Sequence, residues 1–289
     1  MRRLAALLSA ALLLGSATAA APAKHFMWRI SDGSHALFLV GSVHVLRQQD
    51  YPLPAELEAA YAAADGLVEE IDLGQLDPQS AEVEMMERGS YPAGQTLKST
   101  IPAPLYKDVA AEATRRGMDM GLLDSMRPWM AGIALADSQL ERAGFDPTLG
   151  VDVHFSNEAH AGGKPVIGLE EPDFQLGLLA GLPEDAQEAL LRQSLQDAKD
   201  FDADMKQMLD AWHTGDASVL EQMLQQDFAV YPEIYQPVMV QRNRAWMPKL
   251  TGLLQSNKRY FVVVGALHLV GPDGLLAQFK KAGFKVEQL

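Results

Sequence analysis

Two apolar runs near opposite ends of the chain finish in the same way. Phe38 to Leu46 reads FLVGSVHVL and Val262 to Val270 reads VVVGALHLV. Each is an apolar strand, then Gly-x-x-His, then two further apolar residues. The two histidines, His44 and His268, are 224 positions apart. In open α/β sheets, side chains just beyond the carboxyl ends of strands face the crevice where ligands bind. A glycine lets the chain turn sharply off its strand, so the histidine three places on is expected to project over the sheet edge. Two such units bring His44 and His268 toward one crevice. Either histidine alone has a simpler account, as a hydrogen-bonded, half-buried residue in a strand-to-helix turn. Packing does not require the same Gly-x-x-His at two strand ends.

The intervening sequence alternates between strand and helix signals. Residues 26–30 and 36–40 read as a hairpin around the turn residues Ser31-Asp32-Gly33-Ser34, and residues 66–71 (GLVEEI), 164–169 (KPVIGL) and 260–264 (YFVVV) as further strands. Helices are predicted over 54–64, 127–143, 150–161, 184–212, 217–226, 236–255 and 274–282, with 284–288 as a closing edge strand. The pattern is α/β: a central β-sheet flanked by helices, in one domain over 21–289, with a helical insertion over about 77–145 and part of 180–230. No proline- or serine-rich linker divides it.

The chain opens MRRLAALLSAALLLGSATAA: two arginines, an apolar run from Leu4 to Leu14, and Ala17-Thr18-Ala19 as a small-x-small cleavage site. This is the pattern of a cleaved signal peptide over 1–20. The apolar run falls well short of the roughly 20 residues of a membrane-spanning helix. The expected location is periplasmic or secreted, without stable membrane insertion after cleavage. The net charge is −14, and loss of Arg2 and Arg3 would leave −16, which disfavours nucleic acid and anionic membrane as partners. With no cysteine, disulfides, thiol nucleophiles, cysteine zinc sites and iron–sulfur clusters are excluded. There is no HExxH, GxSxG, P-loop or Rossmann glycine fingerprint.

Carboxylates appear where a strand should be apolar. Glu69 and Glu70 lie in the run Leu67 to Ile71, and Glu170 follows Val166-Ile167-Gly168-Leu169. Such groups are costly unless paired, hydrogen-bonded or metal-bound. Strand alternation places Glu69 and Glu70 on opposite faces, so one of the two points inward and the other does not; Glu69 also fits a solvent-facing edge position. Two histidines and a carboxylate form a common set for a divalent metal with positions open to water. His44, Glu70 and His268 as ligands, with Glu170 as supporting residue or base, satisfy that chemistry. A metal-free alternative has a histidine–glutamate pair activating water directly. Arg242 and Asn243 could bind a substrate carboxylate or steady an oxyanion, or form an inter-helix pair with Asp152 or Glu170. Arg127 has a similar, weaker claim, and Trp129 reads as core. His154 and His160, six apart on one helix, do not suit a joint ligand set.

The two Gly-x-x-His motifs, Glu70-x-Asp72, Arg127-Pro128-Trp129, Gly150-x-Asp152, Gly168-Leu169-Glu170 and Arg242-Asn243, in this order, resemble the TraB/GumN family. That family is related to the Tiki metalloproteases and more distantly to erythromycin esterase-like and haem-uptake-associated proteins. The resemblance runs from about residue 26 to 289 and implies two pseudo-symmetric halves, each delivering a strand–Gly-x-x-His unit to a shared site. It implies His44, Glu70 and His268 as metal ligands, favouring Glu70 over Glu69, and manganese or cobalt ahead of zinc. The function so implied is a metal-dependent hydrolase acting on a peptide or small-molecule substrate. The alternatives are a metal-independent His/Glu esterase-like hydrolase and a non-catalytic peptide- or haem-binding protein.

Overall fold

A computed structural model describes residues 24–228 and 231–289. The segment expected to be a signal peptide lies outside the described residues. Six strands form one sheet: β1 (Met27–Ser31), β2 (Ala36–Ser42), β3 (Gly66–Glu69), β4 (Val166–Gly168), β5 (Tyr260–Gly265) and β6 (Lys285–Gln288), in the spatial order β4-β3-β5-β2-β1-β6. Neighbours from β4 to β2 are parallel, while β1 runs antiparallel to both β2 and β6. The sequence predicts these six strands closely, with the last of them as a closing edge. The parallel strands β3 and β5 are buried along their whole length, so apolar residues occupy both faces.

Helices connect the strands: α1 (Ala55–Ala62) before β3, then α2 (Pro78–Gly89), α3 (Leu97–Thr100), α4 (Ala103–Arg116), α5 (Met120–Asp124), α6 (Pro128–Arg142) and α7 (Val151–Gly162) before β4. Between β4 and β5 lie α8 (Pro172–Ala180), α9 (Glu184–Thr214), α10 (Ala217–Met223), α11 (Pro232–Tyr235) and α12 (Arg242–Leu254), and α13 (Leu275–Lys281) precedes β6. Tyr61 of α1 and Phe155 of α7 meet Phe261 of β5 with ring centroids 5.6 and 4.7 Å away, fixing both helices to the sheet. A second core of Leu105, Val109, Trp129, Leu135 and Leu191 joins α4, α6 and the first half of α9. This is the helical insertion read from the sequence. Among the described residues no helix is long and apolar enough to cross a membrane.

Two expectations need correction. The strand predicted over 66–71 stops at Glu69, so Glu70 lies past the end of β3, where strict alternation no longer applies. The helix predicted over 236–255 begins as a π-helical turn, Gln236–Gln241, and becomes α-helical at Arg242. Wide turns of this kind are frequent at functional sites.

Candidate functional site

All four parallel strands present their carboxyl ends to one side, and the chemistry is there. His44 follows β2 by two residues, Glu70 follows β3 by one, Glu170 follows β4 by two and His268 follows β5 by three. A cavity of about 270 Å³ opens at this edge, lined by His44, Glu69, Glu70, Asp152 and Gln175 among others. The two Gly-x-x-His units are neighbours in the sheet, with Ser42 opposite Gly265.

The glycines do not turn the chain as expected, since neither has a positive φ; Gly265 has φ −49°. What matters is the missing side chain. A methyl at Gly41 would lie 2.4 Å from the Phe26 ring and 2.9 Å from Ala266 Cα. A methyl at Gly265 would lie 3.0 Å from His44 Nε2, 3.3 Å from Glu70 Oε1 and 3.6 Å from His268 Cδ2. Gly265 therefore lies against both imidazoles and the carboxylate, but the ligating atoms of His44, Glu70 and His268 do not all lie within 4.8 Å of one another.

Each imidazole is oriented through Nδ1. His44 Nδ1 bonds Asp152 Oδ2 at 3.0 Å, and the other oxygen of Asp152 accepts from Ser42 Oγ at 2.6 Å. Asp152 sits in the first turn of α7, where a helix favours negative charge. A side chain on Gly150 would run into the His44 carbonyl, 2.5 Å away. The Gly150-x-Asp152 motif thus combines close approach with orientation. The His44 side chain remains 57% exposed, at the cleft mouth. Loss of hydration around the ring opposes its charge, but the Asp152 hydrogen bond and the Asp152 and Glu70 charges raise its pKa to about 9.

His268 is buried and differs in charge. Its Nδ1 lies 2.7 Å from Asn243 Oδ1, while its Nε2 lies 3.1 Å from Arg242 Nη1. An arginine only donates, so Nε2 accepts and Nδ1 carries the proton. Burial pushes its pKa down to about 3, leaving a neutral ring. Asn243 is fixed in turn by donating to the carbonyls of His268 and Asp273 at 3.2 and 3.0 Å.

Arg242 ties the carboxylates together. Its Nε and Nη2 donate to Glu170 at 3.0 and 2.8 Å, and Nη2 also donates to Glu70 at 2.5 Å. Glu170 additionally accepts from Trp246 Nε1 at 2.8 Å, and Gln175 Nε2 donates to Glu70 and Glu170 at 3.2 and 3.3 Å. Glu70 Oε1 accepts the Gly265 N–H at 2.7 Å. Burial would raise the Glu70 pKa, but the Arg242 guanidinium, the charged His44 imidazole and that N–H hold it down to about 2. Of the two inter-helix partners weighed for Arg242, Glu170 is the one it meets, with Glu70 as a second.

Glu69 and Glu70 both face this cavity, so the choice between them dissolves where β3 ends. Glu69 is no edge residue. It is 2% exposed, its Oε1 has no hydrogen-bond partner, and its Oε2 accepts only weakly from the Leu73 N–H at 3.5 Å. Burial raises its pKa to about 7. Ser42, Gln175 and Trp246 were not singled out by sequence. Ser42 lies inside the Gly-x-x-His motif, and Trp246 is one helical turn beyond Arg242, so both carried a local signal. Arg127 is not brought here; it stacks over Tyr91 at 5.3 Å in the helical insertion. Trp129 is core, as expected. His154 and His160 pair separately, with Glu58 and Asp72, both at 2.9 Å. One ligand atom each from Glu58, His154 and Glu158 lies within 4.8 Å of the others, a grouping that could hold a cation away from the cleft.

The model of the TraB/PrgY/gumN family matches residues 26–288. The chain belongs to this family. Within reach of this TraB/PrgY/gumN chain are two relatives, each 28% identical over 261 residues, covering 89% of this chain and 94% of the relative. Both carry the name "Uncharacterized protein YbaP", one from Escherichia coli (strain K12) and one from Shigella flexneri. No solved structure matches the chain.

Proposed function

We propose that the cleft belongs to a periplasmic or secreted metal-dependent hydrolase that cleaves at a carbonyl, with a peptide as substrate. His44 Nε2, His268 Nε2 and the Glu70 carboxylate would hold a divalent cation, manganese or cobalt ahead of zinc. Such an ion would polarise the carbonyl and acidify bound water. The observation that carries the reading is that two imidazoles and Glu70 lie against Gly265 at one sheet edge, although their ligating atoms would have to draw closer to share an ion. Each imidazole has Nδ1 tied, to Asp152 or Asn243, which leaves Nε2 as the ligating atom. His268 Nε2 is shared with Arg242 Nη1, so metal capture requires that hydrogen bond to yield.

The remaining groups divide the work. Asn243 orients His268, and Arg242 braces Glu70 against Glu170. With its oxygens taken by Arg242, Trp246 and Gln175, Glu170 suits anchoring Arg242 better than moving protons. Glu69, with Oε1 unpartnered in the cavity wall, is the better group to hold and release a proton near neutral pH. The metal-free histidine-base reading has less support. At neutral pH His44 is protonated and cannot accept a proton, and His268 Nε2 is already engaged.

The test is metal content after mild dialysis, comparing wild type with His44→Ala and His268→Ala and checking the fold by circular dichroism. About one manganese or cobalt per chain, lost in both folded variants, is expected. A wild type that neither carries metal nor takes up added Mn²⁺ or Co²⁺ overturns the proposal.

A further inference from the structure

The catalytic-edge cavity does not end at the carboxylates. It continues past Ile71 and Gln175, which line both spaces, into a trough of about 500 Å³ between α2 and α8. The Gln175 side chain hydrogen-bonds Glu70 and Glu170, so one residue links the trough wall to the centre of the cleft. Ala81 and Met85 of α2 face Leu176 and Leu179 of α8 across the trough. These positions repeat at helical spacing, and Met85, Leu176 and Leu179 pack against the second core beneath. The same two helices leave Val83 and Phe174 about half exposed. Apolar surface held open beside a polar cleft is unusual unless something docks on it.

The trough is also charged in one sense. Asp77, Glu84 and Asp173 stand among its lining residues, and no lysine or arginine does. Arg88 offsets Glu84 alone. Asp173 lies exposed in the first turn of α8. The chain as a whole carries a charge of −14, which draws cationic ligands and repels anionic ones.

From this continuity and charge we infer that the trough is a substrate subsite for an extended cationic peptide. An aliphatic side chain of the peptide seats between α2 and α8, and basic side chains flank it near Asp77 and Asp173. The peptide chain then leads past Gln175 to place a carbonyl at the cleft. The inference deepens the hydrolytic reading and rests on it for the direction in which the peptide runs. A ligand confined to the cleft would leave the apolar trough beside it unfilled, and an anionic one would meet three carboxylates and no basic lining residue there.

The experiment is fluorescence anisotropy with a labelled Lys-Leu-Ala-Leu-Lys peptide and its counterpart with Glu in place of Lys. The proteins are full-length mature wild type, Ala81→Phe, Asp173→Asn and His268→Ala, each also assayed for metal. Ala81→Phe fills the trough from a half-buried position and leaves the cleft residues in place. The expected result is tighter binding of the Lys peptide than of the Glu peptide. At least a tenfold loss is expected in Ala81→Phe and a smaller, salt-sensitive loss in Asp173→Asn, with binding retained by His268→Ala. Equal affinity of the two peptides, no binding of either, or unchanged affinity in Ala81→Phe overturns the inference. A wild type that shows the expected peptide pattern but never holds metal upholds the subsite and removes the hydrolytic reading instead.

Discussion

Asp152 and Glu69 show how single side chains set the properties of the cleft. Asp152 holds His44 by Nδ1, so Asp152→Asn keeps the shape but removes the charge that fixes the ring's proton. Losing such a partner typically weakens a metal site by about 10–100-fold. The expected outcome is that loss in Mn²⁺ or Co²⁺ affinity with an unchanged circular dichroism spectrum; equal affinity would show that His44 needs no anchor. Glu69 bears on stability instead. Its surroundings are Asp72 and Asp152, which raise its pKa, and Ser156 and the Leu73 N–H, which lower it, with burial the largest influence. A carboxyl held near 7 against 4.5 in the unfolded chain keeps its proton longer when folded. The stability it lends is complete below about pH 4.5 and is lost as pH rises through about 7, on the order of 3 kcal/mol in all. Glu69→Gln should therefore gain on wild type between pH 5 and pH 8 in urea denaturation, and a difference flat with pH would refute this account. The sequence placed Glu69 and Glu70 in an apolar run but pointed only one of them inward. It could not announce that both reach one cavity, because that depends on β3 ending one residue before Glu70.

At the scale of elements, the two Gly-x-x-His strands look alike in sequence and differ in what their glycines do. Gly41 makes room for Phe26 and Ala266, which are packing partners, while Gly265 makes room for the site itself. Gly41→Ala should lower stability by about 1–3 kcal/mol through overpacking and leave any folded fraction able to take up metal. Gly265→Ala should cost less stability and abolish uptake. Thermal melts and metal assays on the pair separate the two roles, and a reversed pattern would mean that the glycines have been assigned the wrong way round. Strand positions were legible because YFVVV and ALFLV are apolar without interruption. The origin of the turn was not, since a glycine required for space and one required for positive φ read identically. The start of α12 was also hidden, because a π-helical turn and an α-helical turn place apolar residues at nearly the same spacing.

Across the whole molecule, two hydrophobic cores share one helix. α9 packs by Leu191 into the core of the insertion and by Leu209 and Trp212 into the core of the sheet, where Trp212 Nε1 donates to the Gly41 carbonyl at 2.7 Å. Leu135 lies wholly in the insertion core and is fully buried. Leu135→Ala should cost about 2–5 kcal/mol yet leave metal uptake intact below the melting temperature. Loss of uptake in the folded variant would mean that the insertion shapes the cleft directly. The α/β architecture and the insertion followed from the alternation of strand and helix patterns. The joining of α2 and α8 into a trough did not, because the residues that face each other across it, such as Met85 and Leu176, are more than ninety positions apart and share no local pattern.

The three groups around Gly265 do not start in the same state. Glu70 is already ionised, His268 is already neutral, and His44 alone carries a proton that a metal must displace. Capture of one divalent ion at pH 7 should accordingly liberate about one proton into the medium, whichever metal is used. Titration calorimetry repeated in buffers of different ionisation enthalpy reads that number directly. In Asp152→Asn, where His44 loses its anionic partner, the count should fall below one.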